Sequence, residues 1–416
     1  GCEDISVNVE ERRFAIGGRM VREGDTISID GSTGEVFVGA IPTIETDLAH
    51  EPELRTLLCW ADQIRTLGIY TNADYPRDAR RAREFGAEGI GLCRTEHMFF
   101  EETRRPSVVG MIMAKTAEER VKFLEELLPF QRADFEGIFE AMNGCPVIIR
   151  LIDPPMHEFL PSREQLIEEV TRLRCLGDGE EELAEKEKML ELVESLWETN
   201  PMMGLRGCRV GLMLAGVTEM QVRAIFQAGC RQAKKGVSVH VEIMIPLVTH
   251  VNELRIEREK LEKVAREVMA EEGVEIEYLF GTMIETPRAA LTAGELAKHA
   301  QFFSFGTNDL TQMTFGFSRD DAEGKFLLAY VERKILPANP FQSLDQGGVG
   351  QLVEMAVKAG RAARPSLEVG ICGEHGGDPD SIDFFHRMGL NYVSCSPYRV
   401  PVARLAAAQA ALRHRK

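Results

Sequence analysis

The sequence predicts an α/β fold built as a (β/α)8 barrel of the TIM type with insertions, and three observations carry that prediction. From Gly68 onward, short apolar runs alternate with amphipathic helical stretches, the rhythm of βα units around a parallel sheet. The runs number about eight over about 340 residues, which fits a closed barrel better than an open sheet. Polar and charged residues gather just after the runs, at the end of the strands where barrel enzymes keep their chemistry.

Before that rhythm begins, residues 1–40 read as β-rich. In Gly24–Asp30 apolar and polar residues alternate up to the turn Gly31-Ser32-Thr33-Gly34, and Glu35–Gly39 reads as the return strand. So short a β segment cannot make a core alone, so it is expected to be the last part of another domain. Residues 41–66 read as a linker and a helix, with Leu54, Leu57 and Leu58 at helical spacing. Residues 67–416 make the barrel. Its expected strands are Gly68–Asn72, Gly89–Cys93, Pro146–Leu151, Val239–Ile245, Glu277–Ile284, Phe302–Gly306, Leu367–Cys372 and Asn391–Ser394. Insertions are expected at about 156–236 and 310–345. The Glu/Lys-rich stretch Gly179–Glu198 in the first of these reads as a solvated helix. Gly347–Gly350 reads as a turn, and there is no internal repeat, P-loop or dinucleotide fingerprint.

Composition narrows the function. A net charge of −17 opposes binding to nucleic acid or anionic membranes, so an anionic substrate would need locally concentrated positive charge. No run approaches the roughly 20 apolar residues of a membrane helix, and a soluble protein is expected. The nine cysteines are scattered without a CxxC pair, which points to a reducing compartment, the cytoplasm. Gly1–Glu10 is polar and acidic, unlike a signal peptide, and starts so abruptly that it is expected to be an internal cut, with any organellar leader lying upstream of the given sequence. The ending Arg413-His414-Arg415-Lys416 is not a peroxisomal signal.

Six of the runs end in groups able to do chemistry. They close in Arg94-Thr95-Glu96, Arg150 with Asp153, Glu285-Thr286, Gly306-Thr307-Asn308-Asp309, Gly373-Glu374 and Ser394-Cys395-Ser396. Each has an ordinary reading: a lone arginine makes an ion pair, a lone carboxylate caps a helix, a lone cysteine packs. Their coincidence on one ring argues for a site. Glu285 and Asp309, from separate strands, suit Mg²⁺, an oxygen-seeking cation that leaves coordination positions to water and substrate. No His/Cys set has zinc spacing. Arg94 and Arg150 offer bidentate donors to carboxylate or phosphate. Gly306 and Thr307 can present backbone N–H groups, Asn308 can bond a substrate oxygen, and Cys395 can move a proton. Together these groups fit enolisation of a 2-keto acid beside a phosphate.

At these residues the sequence closely resembles the phosphoenolpyruvate-utilising enzymes. The stretches are Gly91–Phe99, Ile149–Pro155, Gly281–Arg288, Phe302–Gln312 and Tyr392–Pro401, and the resemblance covers essentially the whole chain. It implies a barrel that interconverts pyruvate and phosphoenolpyruvate, exchanging phosphate with a phosphohistidine on a swivelling domain. It implies Glu285 and Asp309 as Mg²⁺ ligands that also contact substrate. Arg94, Arg150, Gly306, Thr307 and Asn308 become substrate-binding residues, and Cys395 the proton donor. Arg206 and Arg319 match further phosphate-side arginines. Partner domains for phosphohistidine and nucleotide, and a homodimer formed through the barrel, are implied as well. Phosphoenolpyruvate synthases and enzyme I of the sugar phosphotransferase system share the barrel, but Cys372–Gly377, Ser394–Pro401 and Asp153–Pro161 are similar to a dikinase branch. None of the nine histidines has the phosphocarrier context, and His50 reads as linker. Residues 1–40 are therefore expected to be the end of the swivelling domain, and the chain to be incomplete for full turnover. The alternatives outside this class are a non-catalytic regulatory barrel and a metal-dependent 2-keto-acid lyase.

Overall fold

The computed structural model describes residues 5–9, 11–30, 35–43, 51–177 and 179–415. Its first part is thin. Strands β1 (Ser6–Asn8), β2 (Arg13–Ile16) and β3 (Arg19–Arg22) form an antiparallel meander, and β4 (Ile27–Ile29) pairs antiparallel with β5 (Val36–Val38). The hairpin matches the expected alternation; the turn Gly31–Gly34 and His50 lie outside the described residues. Val21 is buried, while Val7, Met20, Ile29 and Val38 remain exposed, so these strands enclose little of a core.

Eight parallel strands then close on themselves. They are β6 (Gly68–Asn72), β7 (Ile90–Arg94), β8 (Pro146–Arg150), β9 (His240–Ile245), β10 (Glu277–Ile284), β11 (Phe302–Phe305), β12 (Glu368–Ile371) and β13 (Tyr392–Cys395). Each pairs with its sequence neighbours, and β13 returns to β6 with Tyr392 opposite Gly68 and Cys395 opposite Thr71. All eight expected runs are strands, with no end moved by more than one residue. Such shifts are ordinary, because hydrogen bonding rather than hydrophobicity decides where a ladder stops.

Period-two alternation sorts each strand into an inner and an outer face. On β9, Val241, Ile243 and Ile245 join the main core between strands and helices, while Met244 joins a second core inside the barrel. That inner core contains Leu92, Ile148, Met283, Phe302, Cys372 and Tyr392, with Tyr70 stacked on Tyr392 at 4.5 Å between ring centroids. The barrel is thus packed rather than hollow.

The first insertion carries helices Arg163–Leu176 and Glu180–Ser195, which pack on each other over a separate apolar cluster that includes Phe99, Phe159, Leu166 and Val193. The second of them, the expected acidic helix, is mostly exposed. The helix Val217–Lys234 returns the chain to the barrel between helices Ala117–Ala141 and Val251–Glu272. The glycine cluster at 347–350 is partly turn, but the helix Val349–Ala363 already begins within it. Among the described residues no helix is long and apolar enough to cross a membrane.

Glu242 stands near the start of β9, 6% exposed, with Oε2 unpaired. Burial, then the charge of Glu368, pushes its carboxyl up to about 8. The folded state therefore holds this proton more tightly than the unfolded chain, and stability falls as pH climbs from about 4.5 toward 8. Glu242→Gln should raise thermal stability at pH 9, on the order of 3 kcal/mol, and change it little near pH 5. Melting curves at the two pH values test this; equal shifts at both would contradict it.

Candidate active site

The ends of neighbouring strands bring the expected residues onto one rim. Arg94 and Arg150 stand opposite each other at the ends of β7 and β8, and Glu285 and Gly306 follow the paired residues Ile284 and Phe305 that close β10 and β11. Arg150 is ion-paired with Glu96, and its Nη1 lies 2.8 Å from Asp153 Oδ2. The same oxygen receives Arg206 Nη2 at 2.7 Å, and Arg206 Nη1 reaches Asp309 Oδ1 at 3.3 Å. Carboxylates and guanidinium groups thus alternate through the buried floor, in the order Glu96, Arg150, Asp153, Arg206, Asp309. Burial would favour a neutral Arg150, yet Asp153, Glu96 and Glu285 hold it charged, well above the usual guanidinium range.

Glu285 is fully buried, and its Oε1 accepts the Leu247 N–H at 2.6 Å. Its Oε2 has no hydrogen-bond partner, and neither has Asp153 Oδ1. Burial, Asp153 and Asp309 together push the Glu285 carboxyl well above the usual range. A buried acceptor left unpaired costs about 1–3 kcal/mol, and a cation is the partner that relieves several carboxylates at once. A side chain at Gly306 would place a Cβ 2.6 Å from Glu285 Oε2, so glycine keeps that oxygen open. Among the described residues no group of three His, Cys, Asp or Glu forms a protein-only cage. The donor set instead fits a cation that takes two carboxylates and completes its shell with water and substrate oxygens, as Mg²⁺ does.

At the same end of the barrel opens a cleft of about 940 Å³, lined in part by Asn72, Arg94, Gly373, Cys395 and Arg399. Asp74 organises one wall. Its Oδ2 lies 2.7 Å from Arg94 Nη2 and 3.0 Å from His97 Nδ1, and its Oδ1 accepts the Arg94 backbone N–H at 2.7 Å. Burial raises the Asp74 carboxyl, but His97 and Arg94 outweigh it and keep the group ionised. Arg94 is the more open arginine, with 37% of its side chain exposed. Asn72 accepts Ser394 Oγ at 2.6 Å and donates to the Cys372 carbonyl at 2.9 Å, tying β6 to β13 and β12 beside Cys395. Burial pushes the Cys395 thiol up to about 12, against a smaller opposing effect of Arg399. The thiol therefore keeps its proton near neutral pH.

The helix Thr307–Phe315 begins directly after Gly306, so its first N–H groups lie beside the carboxylates. Thr307 and Asn308 are anchored away from them. His375 Nε2 lies 3.0 Å from the Pro340 carbonyl, which can only accept, so a neutral His375 takes the Thr307 hydroxyl proton at Nδ1, 2.7 Å away. Burial lowers the His375 pKa and favours that neutral form. Asn308 Oδ1 accepts Arg319 Nη1 at 3.1 Å, and Arg319 also pairs with Glu374 at 2.9 Å.

Arg150, Glu285, Gly306 and Asp309 are therefore drawn into one buried knot with Arg206. Arg94 and Cys395 line the cleft, and Thr307 and Asn308 join through their own partners. Reading the strand ends passed over two of them. The first run, ending at Asn72, continues into Asp74, which orients Arg94. The fourth continues through Pro246 into Leu247, which holds Glu285. Applying the same rule to those two ends finds Asp74; Leu247 acts through its backbone, and no residue-type rule marks it.

A family model described as the PEP-utilising enzyme, PEP-binding domain matches residues 49–412. Pyruvate, phosphate dikinase of Entamoeba histolytica is 52% identical over 415 residues, covering 100% of this chain and 47% of that protein. The chloroplastic pyruvate, phosphate dikinase of Mesembryanthemum crystallinum is 54% identical over 412 residues, covering 98% and 42%. The Clostridium symbiosum protein of the same name is 51% identical over 416 residues, covering 100% and 46%. The chain spans about half the length of the curated relatives it matches.

The state of the Cys395 thiol is open to direct measurement. Iodoacetamide at pH 8 should label the exposed Cys59 and Cys175 at least about 100-fold faster than Cys395, read by peptide mass spectrometry of the native protein. Equal labelling rates would contradict a buried, protonated Cys395.

Proposed function

This chain belongs to the PEP-utilising enzymes, through their PEP-binding domain, and from that premise we propose that it is the phosphoenolpyruvate/pyruvate half-site of a pyruvate, phosphate dikinase. The observation that carries the reading is the meeting of Glu285, with its unpaired buried oxygen, and Asp309 beside Arg150 and Arg206. Glu285 and Asp309 would hold Mg²⁺, which when bound supplies a Lewis acid for the keto and carboxylate oxygens of pyruvate. Arg94 and Arg150, with the start of the helix after Gly306, would bind the substrate's anionic groups, and Asn308 a substrate oxygen. Arg206 and Arg319 belong on the phosphate side.

In the direction that consumes phosphoenolpyruvate, the substrate's P–O bond breaks and a phosphohistidine N–P bond forms on a partner domain. The electron pair of the broken bond becomes the enolate. C3 of that enolate takes the Cys395 thiol proton, giving pyruvate, and the thiolate recovers a proton from water in the cleft. In the reverse direction Cys395, after giving its proton to water, removes a methyl proton as thiolate, and the enolate oxygen attacks the phosphohistidine phosphorus as the N–P bond breaks. A thiol that burial keeps protonated is a donor at hand for the first direction. The buried arginines lower the cost of charge developing on the enolate.

The same reading takes residues 1–40 as the end of the swivelling phosphohistidine domain and 41–66 as the linker to the barrel. The phosphohistidine and nucleotide-binding domains are its partners, and a cytoplasmic homodimer formed through the barrel its working state.

Exchange of the pyruvate methyl protons with deuterated solvent, followed by NMR with Mg²⁺ present, tests the assignment. The unaltered chain should catalyse it, and Cys395→Ala should slow it by roughly 100-fold or more while still binding phosphoenolpyruvate. Unchanged exchange in Cys395→Ala would remove the thiol from the reaction.

A further inference from the structure

Leu247 is buried and holds a left-handed backbone conformation, with φ 55°. That conformation is one that leucine avoids, and no feature of its side chain requires it. The chain on either side is pinned. The Pro246 carbonyl accepts the Cys208 N–H at 3.2 Å, and the Val248 carbonyl accepts Thr286 Oγ1 at 3.3 Å. Between these anchors the Leu247 N–H points at Glu285 Oε1, 2.6 Å away, and a hydrogen bond to a carboxylate is among the strong ones, enough to offset the strain.

The same turn also meets the loop that carries Arg206. Gly207, at φ 59°, lies against it, and a Cβ there would stand 2.6 Å from the Leu247 Cβ and 3.2 Å from Asp153 Oδ1. The Gly207 N–H bonds the Asp153 carbonyl at 2.8 Å. One strained turn thus touches both sides of the floor, the carboxylate of Glu285 and the loop of Arg206.

We propose that Leu247 is a positioning residue: its left-handed turn holds Glu285 Oε1 through the backbone, so that Oε2 is the oxygen turned free beside Gly306, and it seats Gly207 so that Arg206 reaches Asp153 and Asp309. This rests on the reading of Glu285 and Asp309 as cation ligands. The side chain that matters is then not the bulkiest that fits, but one that tolerates φ near +55°. Asparagine and glycine do, whereas β-branched isoleucine resists it.

Mn²⁺ binding to the chain, read by electron paramagnetic resonance of the free ion, separates this role from packing. Leu247→Asn should bind Mn²⁺ within a few-fold of the unaltered chain even if it melts earlier. Leu247→Ile, which keeps the volume, and Gly207→Ala should weaken it roughly 10–100-fold. A packing role predicts the opposite order, with isoleucine harmless and asparagine damaging. Mn²⁺ affinity unchanged in Leu247→Ile, or lost equally in Leu247→Asn, would overturn the proposal while leaving the cation site intact. Glu285→Gln is the control. If the unaltered chain binds no Mn²⁺, or Glu285→Gln binds it equally well, the reading of the site falls and the positioning role with it.

Discussion

Asp153 Oδ2 sits between two arginines, 2.8 Å from Arg150 and 2.7 Å from Arg206, and the rest of the site depends on that contact. Arg150 belongs to a barrel strand, whereas Arg206 belongs to the long insertion between β8 and β9. The shared carboxylate is what carries the insertion onto the barrel rim. Around it the charges alternate, so that each buried guanidinium has carboxylates on both sides. Losing one member of such a chain typically costs about 3–5 kcal/mol, because the neighbours stay buried and unpaired.

The price of that arrangement is visible at the edges. Glu285 is left with an open oxygen, Asp153 with another, and Leu247 with a conformation that leucine avoids. A protein selected only for stability would do better with a neutral amide at Glu285. Keeping buried carboxylates with spare acceptors makes sense where a cation and an anionic substrate complete the charge balance. The cleft lined by Arg94 follows the same logic in milder form: Asp74 orients Arg94 without burying it, so the arginine keeps donors for a ligand.

Much of this was legible in the sequence. The eight strands show as apolar runs, because a strand flanked by helices outside and packed side chains inside is buried on both faces. The site residues show because barrel geometry gathers strand ends from distant positions, so residues as far apart in sequence as Arg94 and Asp309 stand on one rim. What stayed hidden acts through geometry rather than residue type. Leu247 contributes a backbone N–H, His375 fixes a hydroxyl proton on Thr307, and Asp153 joins two arginines 56 positions apart. Short strands such as Ser6–Asn8 and Arg13–Ile16 lack a clear alternation, since most of their side chains are not deeply buried.

We propose that the alternating charges around Asp153 and Glu285 form a site completed by Mg²⁺ and a phosphorylated enol. Calorimetric titration of this chain with phosphoenolpyruvate, with and without Mg²⁺, tests it most directly. Saturable 1:1 binding that requires Mg²⁺ and disappears in Glu285→Gln is the predicted result. No binding with Mg²⁺ present, or binding that neither Mg²⁺ nor Glu285 affects, would contradict it.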